Sequence, residues 1–510
     1  MNLGTLVARA AQRHGTGIAL EEPGRQLSFV EVADRSRRLG RGLLNLGLAP
    51  GDRVLDLQSN GIAYVETDFG ISSAGLVRVA LNYRLSPSDW CRIARDCDAK
   101  ALIHRAEFAD RIQELRDVVD HTIVIGDGDG IPYDRFLADS EPHLTDDIAP
   151  DTLISLNYSS GTTGKPKGAT RTHQNRIASL YNILTDIMTP TPADVWCHAG
   201  PITHASGLFV LPHFLMGARQ LILPTFDPDD LFEAVNHRGV TGTVLVPTMV
   251  ARLLMHDDLN ALDTSRLQRL VYAGSPMPSE QIRESFERIT SNLIQMYGLV
   301  EAIPPVTVLS ADDHALGITS HPELLTSAGF PCAGVEVRIV DEHGSTVPPG
   351  EVGELITRGD HTMSGYWGIA DESAAKSVVD GWLHTGDLGK LDSAGRVYLV
   401  DRKGDMIISG GYNVYPREVE DVIAELPGIA EVAVVGVQDA EWGQRIVALY
   451  SVRDGEHVAV ESVLAHCRQR LSAYKKPKDI RQVDAFPLQA TGKISKKQLR
   501  LDLEAERVNR

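Results

Sequence analysis

Apolar and polar positions follow two different periods along this chain. From Ser28 to Gly47, Val32, Leu39, Leu43 and Leu46 recur at helical spacing, and Ser28 followed by Glu31 makes a capping box. That pattern predicts an amphipathic helix that breaks near Gly47. Arg53–Leu57 reads as a strand, and short apolar runs rich in β-branched residues recur at 101–104, 122–125, 153–156, 221–223, 243–246 and 270–272. Helix-length periodic segments separate several of these runs, so the alternation predicts α/β layers with mostly parallel, largely buried sheets.

From about residue 331 the pattern shortens. Gly334–Val340, a turn at Asp341–Gly344 and Gly353–Thr357 read as antiparallel strands of a β subdomain spanning about 331–400. After Val397–Val400, the polar run Asp401-Arg402-Lys403-Gly404-Asp405 suits a linker or hinge. The scheme expected is a large N-terminal domain, 1–400, a hinge at 401–405 and a small mobile α+β C-terminal domain, 406–510.

Composition narrows the class. A chain of 510 residues with 43% apolar and 23% charged residues has ordinary globular proportions, which excludes a disordered or fibrous protein. Lys and Arg number 50 against 68 Asp and Glu, a net charge of −18, so the basic field that nucleic acid needs is missing. Charge is uneven, however: residues 468–500 carry ten basic and two acidic side chains. This basic end is either an anion-receiving surface or a solvated lysine-rich face. The five cysteines (Cys91, Cys97, Cys197, Cys332 and Cys467) form no paired spacing, and no apolar run approaches a membrane span. The expectation is an unprocessed cytoplasmic protein without a membrane segment.

The chemistry concentrates in Tyr158–Ala169, which follows the strand-like run 153–156. Between Ser159 and Gly168 it places three glycines, four hydroxyls and two lysines. Bare backbone N–H groups, hydroxyl donors and ammonium charge suit phosphate oxygens. The loop is neither a Gly-x-x-x-x-Gly-Lys nor a Gly-x-Gly-x-x-Gly motif, and Gly126–Gly130 fails the latter spacing among carboxylates.

This loop closely resembles the phosphate signature of the AMP-forming acyl-CoA synthetases, within the wider group of acyl- and aryl-adenylating enzymes. Further motifs in family order extend the resemblance over essentially the whole chain: Ala273–Pro276, Met296–Glu301, Gly365-Tyr366, Trp382–Asp387, Asp401-Arg402 with Ser409–Asn413, and Thr491–Lys493. The resemblance implies a two-step reaction, in which a carboxylate attacks the α-phosphorus of ATP to give acyl-AMP and a thiol, that of coenzyme A, then displaces AMP. It implies phosphate or nucleotide contacts at Ser159, Ser160, Gly161, Thr162, Thr163, Gly164, Lys165 and Lys167. Gly274, Ser275, Pro276, Tyr297 and Gly298 would border the adenine, Asp387 would accept the ribose hydroxyls, and Arg402 would add a ribose or phosphate contact. Glu301 would bind Mg²⁺, and Lys493 would touch the reacting carboxylate, with Thr163 and His204 also in the catalytic set.

By the same resemblance, His204, Ala273, Gly298 and Val300 would line the acid pocket. Gly410, Gly411 and Lys475 would serve coenzyme A, and Gly404 would be the pivot. Amino-acid-activating relatives carry an Asp near His204; none occurs from Pro201 to Met216, which favours a plain organic acid. Two positions depart from the pattern: Val300 stands where a Thr usually precedes the metal-binding Glu, and Gly404 where relatives carry Asp or Lys. Loading of a carrier protein in trans, a degenerate binding paralogue and a homodimer stay open as alternatives.

Overall fold

The computed structural model describes residues 1–142, 148–159, 166–369, 378–439, 442–453, 455–489 and 493–508. The chain divides into two compact units. The larger comprises Met1–Pro276, Arg283–Val337 and Ile356–Thr385; the smaller comprises Met277–Ile282, Arg338–Leu355 and Gly386–Arg510.

Two sheets build the larger unit. One has seven strands in the spatial order Ile131–Pro132, His121–Ile125, Ala99–Arg105, Arg53–Leu57, Val77–Ala80, Leu153–Ser159, Lys167–Thr172. All its pairings are parallel except the final hairpin. The other has nine strands, with a parallel centre made by Val195–His198, Gly242–Leu245, Arg269–Ala273 and Leu293–Leu299. Ala99–Arg105, His121–Ile125, Gly242–Leu245 and Arg269–Ala273 coincide with the expected apolar runs because a strand covered on both faces needs apolar side chains, whereas Val77–Ala80, Val195–His198 and Leu293–Leu299 lie outside those runs.

The expected capping box is present. Glu31 donates its N–H to the Ser28 hydroxyl and accepts the Ser28 N–H, opening the helix Phe29–Asn45. It packs on Ile62–Ser73, a helix buried at every position and therefore without an amphipathic stripe. The charges on that buried helix are matched from elsewhere in the chain. Asp68 accepts hydrogen bonds from Arg78 at 3.1 Å and Arg176 at 2.7 Å, and Arg78 also reaches Asp56 at 2.7 Å. The opposing charges pull the Asp68 pKa down although burial alone pushes it up.

In the smaller unit the strands Ile429–Asp439 and Gly443–Val452 form a long antiparallel pair whose side chains alternate between two faces. Val434, Ile446, Ala448 and Tyr450 pack with Val419, Ile423 and Val463 of the helices Pro416–Ala424 and Val460–Arg470. Ala433, Val435, Val437, Val447 and Leu449 pack with Leu499 and Leu503 of the helix Lys496–Val508. The fold is thus α/β with mostly parallel sheets and a smaller α+β part. The strand Val397–Arg402 runs through Asp401 and Arg402, so within the run 401–405 only Lys403, Gly404 and Asp405 form a turn.

Candidate active site

In the larger unit both described ends of the glycine-rich segment 158–169 are strands that pair antiparallel. Leu153–Ser159 pairs with Lys167–Thr172, with Ser159 opposite Lys167 and Tyr158 opposite Gly168. A side chain at 168 would press its Cβ to 2.9 Å from the Tyr158 ring, which accounts for that glycine. Ser160, Gly161, Thr162, Thr163, Gly164 and Lys165 lie outside the described residues, as does the Ser159 side chain.

A short strip braces this hairpin to the turn bearing Glu301. Trp367 N–H donates to the Gly168 carbonyl at 2.8 Å, and the Thr170 N–H and hydroxyl both donate to the Gly365 carbonyl. The same strip reaches Glu301, whose carbonyl accepts from Met363 N–H at 2.9 Å and whose Oε1 accepts from the Tyr366 hydroxyl at 2.8 Å. Lys167 Nζ stands 5.3 Å from the centre of the Tyr366 ring. Burial, then the charge of Glu301, pushes the Tyr366 phenol up, so it stays protonated as a donor.

Glu301 itself sits with Val300 in the tight turn between Leu293–Leu299 and Ala302–Leu309, where Leu299 pairs with Ala302. Beside it, Ala273 ends the neighbouring parallel strand opposite Met296, so Gly274–Pro276 and Tyr297–Gly298 emerge at adjacent carboxyl ends. Crevices at the carboxyl ends of parallel strands are where such sheets bind ligands. Gly274 has φ +93°, a left-handed conformation that favours glycine. At Gly298 a Cβ would meet Pro304 at 2.7 Å.

His204 follows Val195–His198, another strand of the same parallel set. Its Nε2 lies 3.4 Å from Asn82 Nδ2. Asn60 pins the segment before it, donating to the Gly200 and Leu223 carbonyls and accepting from Ile202 N–H, all at 2.9 to 3.0 Å. His198 lies between Ser206 Oγ at 2.8 Å and Gln220 Oε1 at 2.9 Å, and burial lowers its pKa to about 4, so this ring is neutral.

In the smaller unit Asp387 and Arg402 are cross-strand partners, joined by an ion pair of 2.6 Å. Lys493 belongs to the same neighbourhood: desolvation and the like charge of Arg402 lower its pKa, while Asp387 opposes them. It sits where Leu488 and Ile494 bridge and Gln489 N–H donates to its carbonyl at 2.7 Å. Gly404 lacks a left-handed φ and leaves open space for a Cβ. Gly410 and Gly411, with φ of +58° and +81°, form the turn between Ile407–Ser409 and Tyr412–Val414. Tyr412 stacks on Tyr474 at 4.8 Å, which brings this turn beside Lys475; Lys475 pairs with Glu418 at 2.5 Å. Much of the basic window is matched in this way, with Arg470 on Glu425, Arg481 on Asp479 and Glu506, and Lys496 on Glu420.

The AMP-binding enzyme family matches residues 7–367, and the AMP-binding enzyme C-terminal domain matches residues 418–493. The protein belongs to the AMP-forming acyl-CoA synthetases. Its relatives include a feruloyl-CoA synthase of an Amycolatopsis species, 36% identical over 98% of both chains. Another is a fatty acid–[acyl-carrier-protein] ligase of Streptomyces coeruleorubidus, 32% identical over 96% of this chain and 94% of its own. Among solved structures, the amide bond synthetase McbA from Marinactinospora thermotolerans superposes with a TM-score of 0.90 at 29% identity, covering 98% of this chain and 99% of that one. The synthetase is an AMP-forming acid–thiol ligase.

Several residues that shape the synthetase's site carried no sequence signal. Arg171, Asn60 and Asn82 lie in no quoted motif, and Tyr366 was part of one without a role. Arg171 Nη2 donates to the Val300 carbonyl at 3.0 Å, and its buried Nε has no hydrogen-bond partner among the described residues. Burial and the nearby Arg176 bring its pKa down to about 10, and Glu301 opposes that fall.

Proposed function

We propose that the synthetase condenses a plain organic acid, one without an α-amino group, with coenzyme A at the expense of ATP, through an acyl-AMP intermediate and with release of pyrophosphate. A carboxylate has to approach a polyanion, so the site must neutralise charge as the pentacoordinate phosphorus forms. Ser159, Ser160, Thr162, Thr163, Lys165 and Lys167 take the outer phosphates, with Gly161 and Gly164 opening backbone N–H groups to them. Gly274, Ser275, Pro276, Tyr297 and Gly298 border the base, and Asp387 and Arg402 take the ribose. His204, Ala273 and Val300 line the acid pocket. Lys493 meets the reacting carboxylate and the α-phosphate during adenylation.

The observation that carries this reading is the bracing of the phosphate hairpin to Glu301 through the strip Thr362–Trp367. It supports the reading because hydrogen bonds tie the hairpin that carries Lys167 to a carboxylate. Among the described residues no group of three or more His, Cys, Asp or Glu could hold a metal alone. That suits Mg²⁺, which binds such sites through one or two carboxylates, substrate phosphates and its own water. Glu301 is the hard-oxygen ligand on the protein side, and the ion would supply charge neutralisation on the phosphates.

Gly410, Gly411 and Lys475 serve coenzyme A in this reading, which the Tyr412–Tyr474 stack that joins their segments supports. Lys475 shares its charge with Glu418, so its part is smaller than the basic window alone implies. Gly404 is proposed as the pivot between the two half-reactions. Cytoplasmic residence is part of this reading, supported by five free buried cysteines; no described helix is long and apolar enough to cross a membrane.

The test is a panel of organic acids assayed for acid-dependent pyrophosphate release, with coenzyme A, with a phosphopantetheinylated carrier protein, and with neither. Acyl-CoA formation from one class of acid is expected. The carrier-ligase relative makes acyl transfer to the carrier alone the second reading. Absence of acid-dependent pyrophosphate release across the panel overturns both.

A further inference from the structure

The turn that carries Glu301 is held by groups to which no role has yet been given. Its carboxylate is gripped at Oε1 by the Tyr366 hydroxyl, and its main chain at the Val300 carbonyl by Arg171. Both come from segments that belong to the phosphate hairpin or are stitched to it. Tyr366 bridges Ala169, and Arg171 lies in the strand Lys167–Thr172 itself.

Each feature is expensive unless it is used. Arg171 places a guanidinium where its Nε is shut from water and has no partner among the described residues, whose charges act on it through Arg176, which repels it, and Glu301, which attracts it. A leucine or methionine would fill the same space without that desolvation penalty. The terminal torsion of a glutamate is broad, so a carboxylate without a fixed partner presents its oxygens in many directions. Val300 has no hydroxyl, and it packs, as Tyr366 does, against the apolar cluster that includes Met296 and Ala302.

We propose that Tyr366 and Arg171 are positioning residues for the divalent cation that accompanies ATP. Tyr366 orients the Glu301 carboxylate while Arg171 fixes the main chain of its turn, which together supply the orientation that Val300 cannot. This rests on Glu301 being the residue that meets the cation. The residues do not touch the reacting atoms; they act through Glu301.

The experiment measures Mn²⁺ affinity by electron paramagnetic resonance on full-length protein saturated with a non-hydrolysable ATP analogue, alongside metal-free binding of the same analogue. Tyr366→Phe keeps the ring and removes only the hydroxyl, so it is the deciding variant; Arg171→Met and Glu301→Ala accompany it. Outer-shell partners of metal ligands usually account for 10- to 100-fold in affinity. Tyr366→Phe is expected to weaken Mn²⁺ binding by about tenfold and Arg171→Met by a similar factor, with metal-free analogue binding unchanged. If Glu301→Ala weakens Mn²⁺ binding but Tyr366→Phe does not, the positioning role is wrong and the role of Glu301 stands. If Glu301→Ala also leaves Mn²⁺ binding intact, the reading of Glu301 fails and takes this one with it. Equal losses of metal-free and metal-dependent binding in Tyr366→Phe also overturn the proposal, because they mark general damage to the hairpin.

Discussion

Glu301, in a turn between two strands of the larger unit, and Asp387, on a strand of the smaller one, are both carboxylates, yet a different kind of group meets each. Glu301 accepts from a neutral phenol. Asp387, whose side chain is only 8% exposed, is paired directly with the Arg402 guanidinium. A carboxylate that has to attract a cation gains from a neutral partner, which orients it without cancelling its charge. One that has to accept hydrogen bonds from sugar hydroxyls needs its lone pairs more than its charge, and an arginine beside it offsets its desolvation. The two settings therefore match the two tasks proposed for them.

Lys493 offers the largest expected effect. Lys493→Ala is expected to slow acyl-AMP formation by about 100-fold or more, the scale of losing a charged transition-state contact, while thioester formation from supplied acyl-AMP survives. Equal loss in both half-reactions would remove Lys493 from the adenylation step.

The carboxylates come next, and they test the contrast itself. Glu301→Gln removes charge and should lower kcat for ATP–pyrophosphate exchange by about 100-fold. Asp387→Asn keeps an acceptor oxygen and should mainly raise KM for ATP, by about tenfold. Similar kinetic patterns in the two variants would erase the distinction between them.

Acid should separate the two units. Burial lowers His173, His198, His314 and His361 in the larger unit to about 4 and His213 to about 3, against 6.5 when free. Unfolding lets these rings take up protons, so their contribution is whole above pH 6.5 and is lost as pH falls from 6.5 toward 4. In the smaller unit burial raises Asp401 and Glu420, so the cost of keeping them charged eases as pH falls. Segment-resolved amide hydrogen exchange between pH 6.5 and 4.5 should show the larger unit losing on the order of a few kcal/mol of protection first. Earlier loss in the smaller unit would contradict this.

The smallest effect belongs to Gly404→Ala. With open space around the new methyl and no left-handed φ, it should change stability by no more than about 0.5 kcal/mol, toward stabilisation. A destabilisation above about 1 kcal/mol in urea titration would mean that glycine is required there.

What the sequence revealed follows from range. The capping box at Ser28 and the apolar strands are local patterns, and they appear where the pattern places them. The helix Ile62–Ser73 was not visible, because Glu66 and Asp68 read as surface residues until Arg35, Arg78 and Arg176 arrive from distant segments. The hairpin strands reaching Ser159 and Lys167 look like loop because Asn157, Tyr158, Ser159, Lys167 and Gly168 interrupt the apolar pattern there. The family resemblance also picked out Glu301, Asp387, Arg402 and Lys493, but not what holds them. The Tyr366–Glu301 bond spans 65 positions and the Arg171–Val300 bond spans 129, so neither leaves a periodic trace in the sequence.

The central claim is that the acid's own oxygen attacks the α-phosphorus. The most direct measurement supplies the best acid of the panel labelled with ¹⁸O in its carboxylate, together with ATP and coenzyme A, and weighs the products by mass spectrometry. Because the oxygen bridging acyl group and phosphorus leaves with the nucleotide, one ¹⁸O atom should appear in each AMP formed and none in pyrophosphate. Label in inorganic phosphate with ADP as the nucleotide product, or unlabelled AMP, would contradict an acyl-adenylate route.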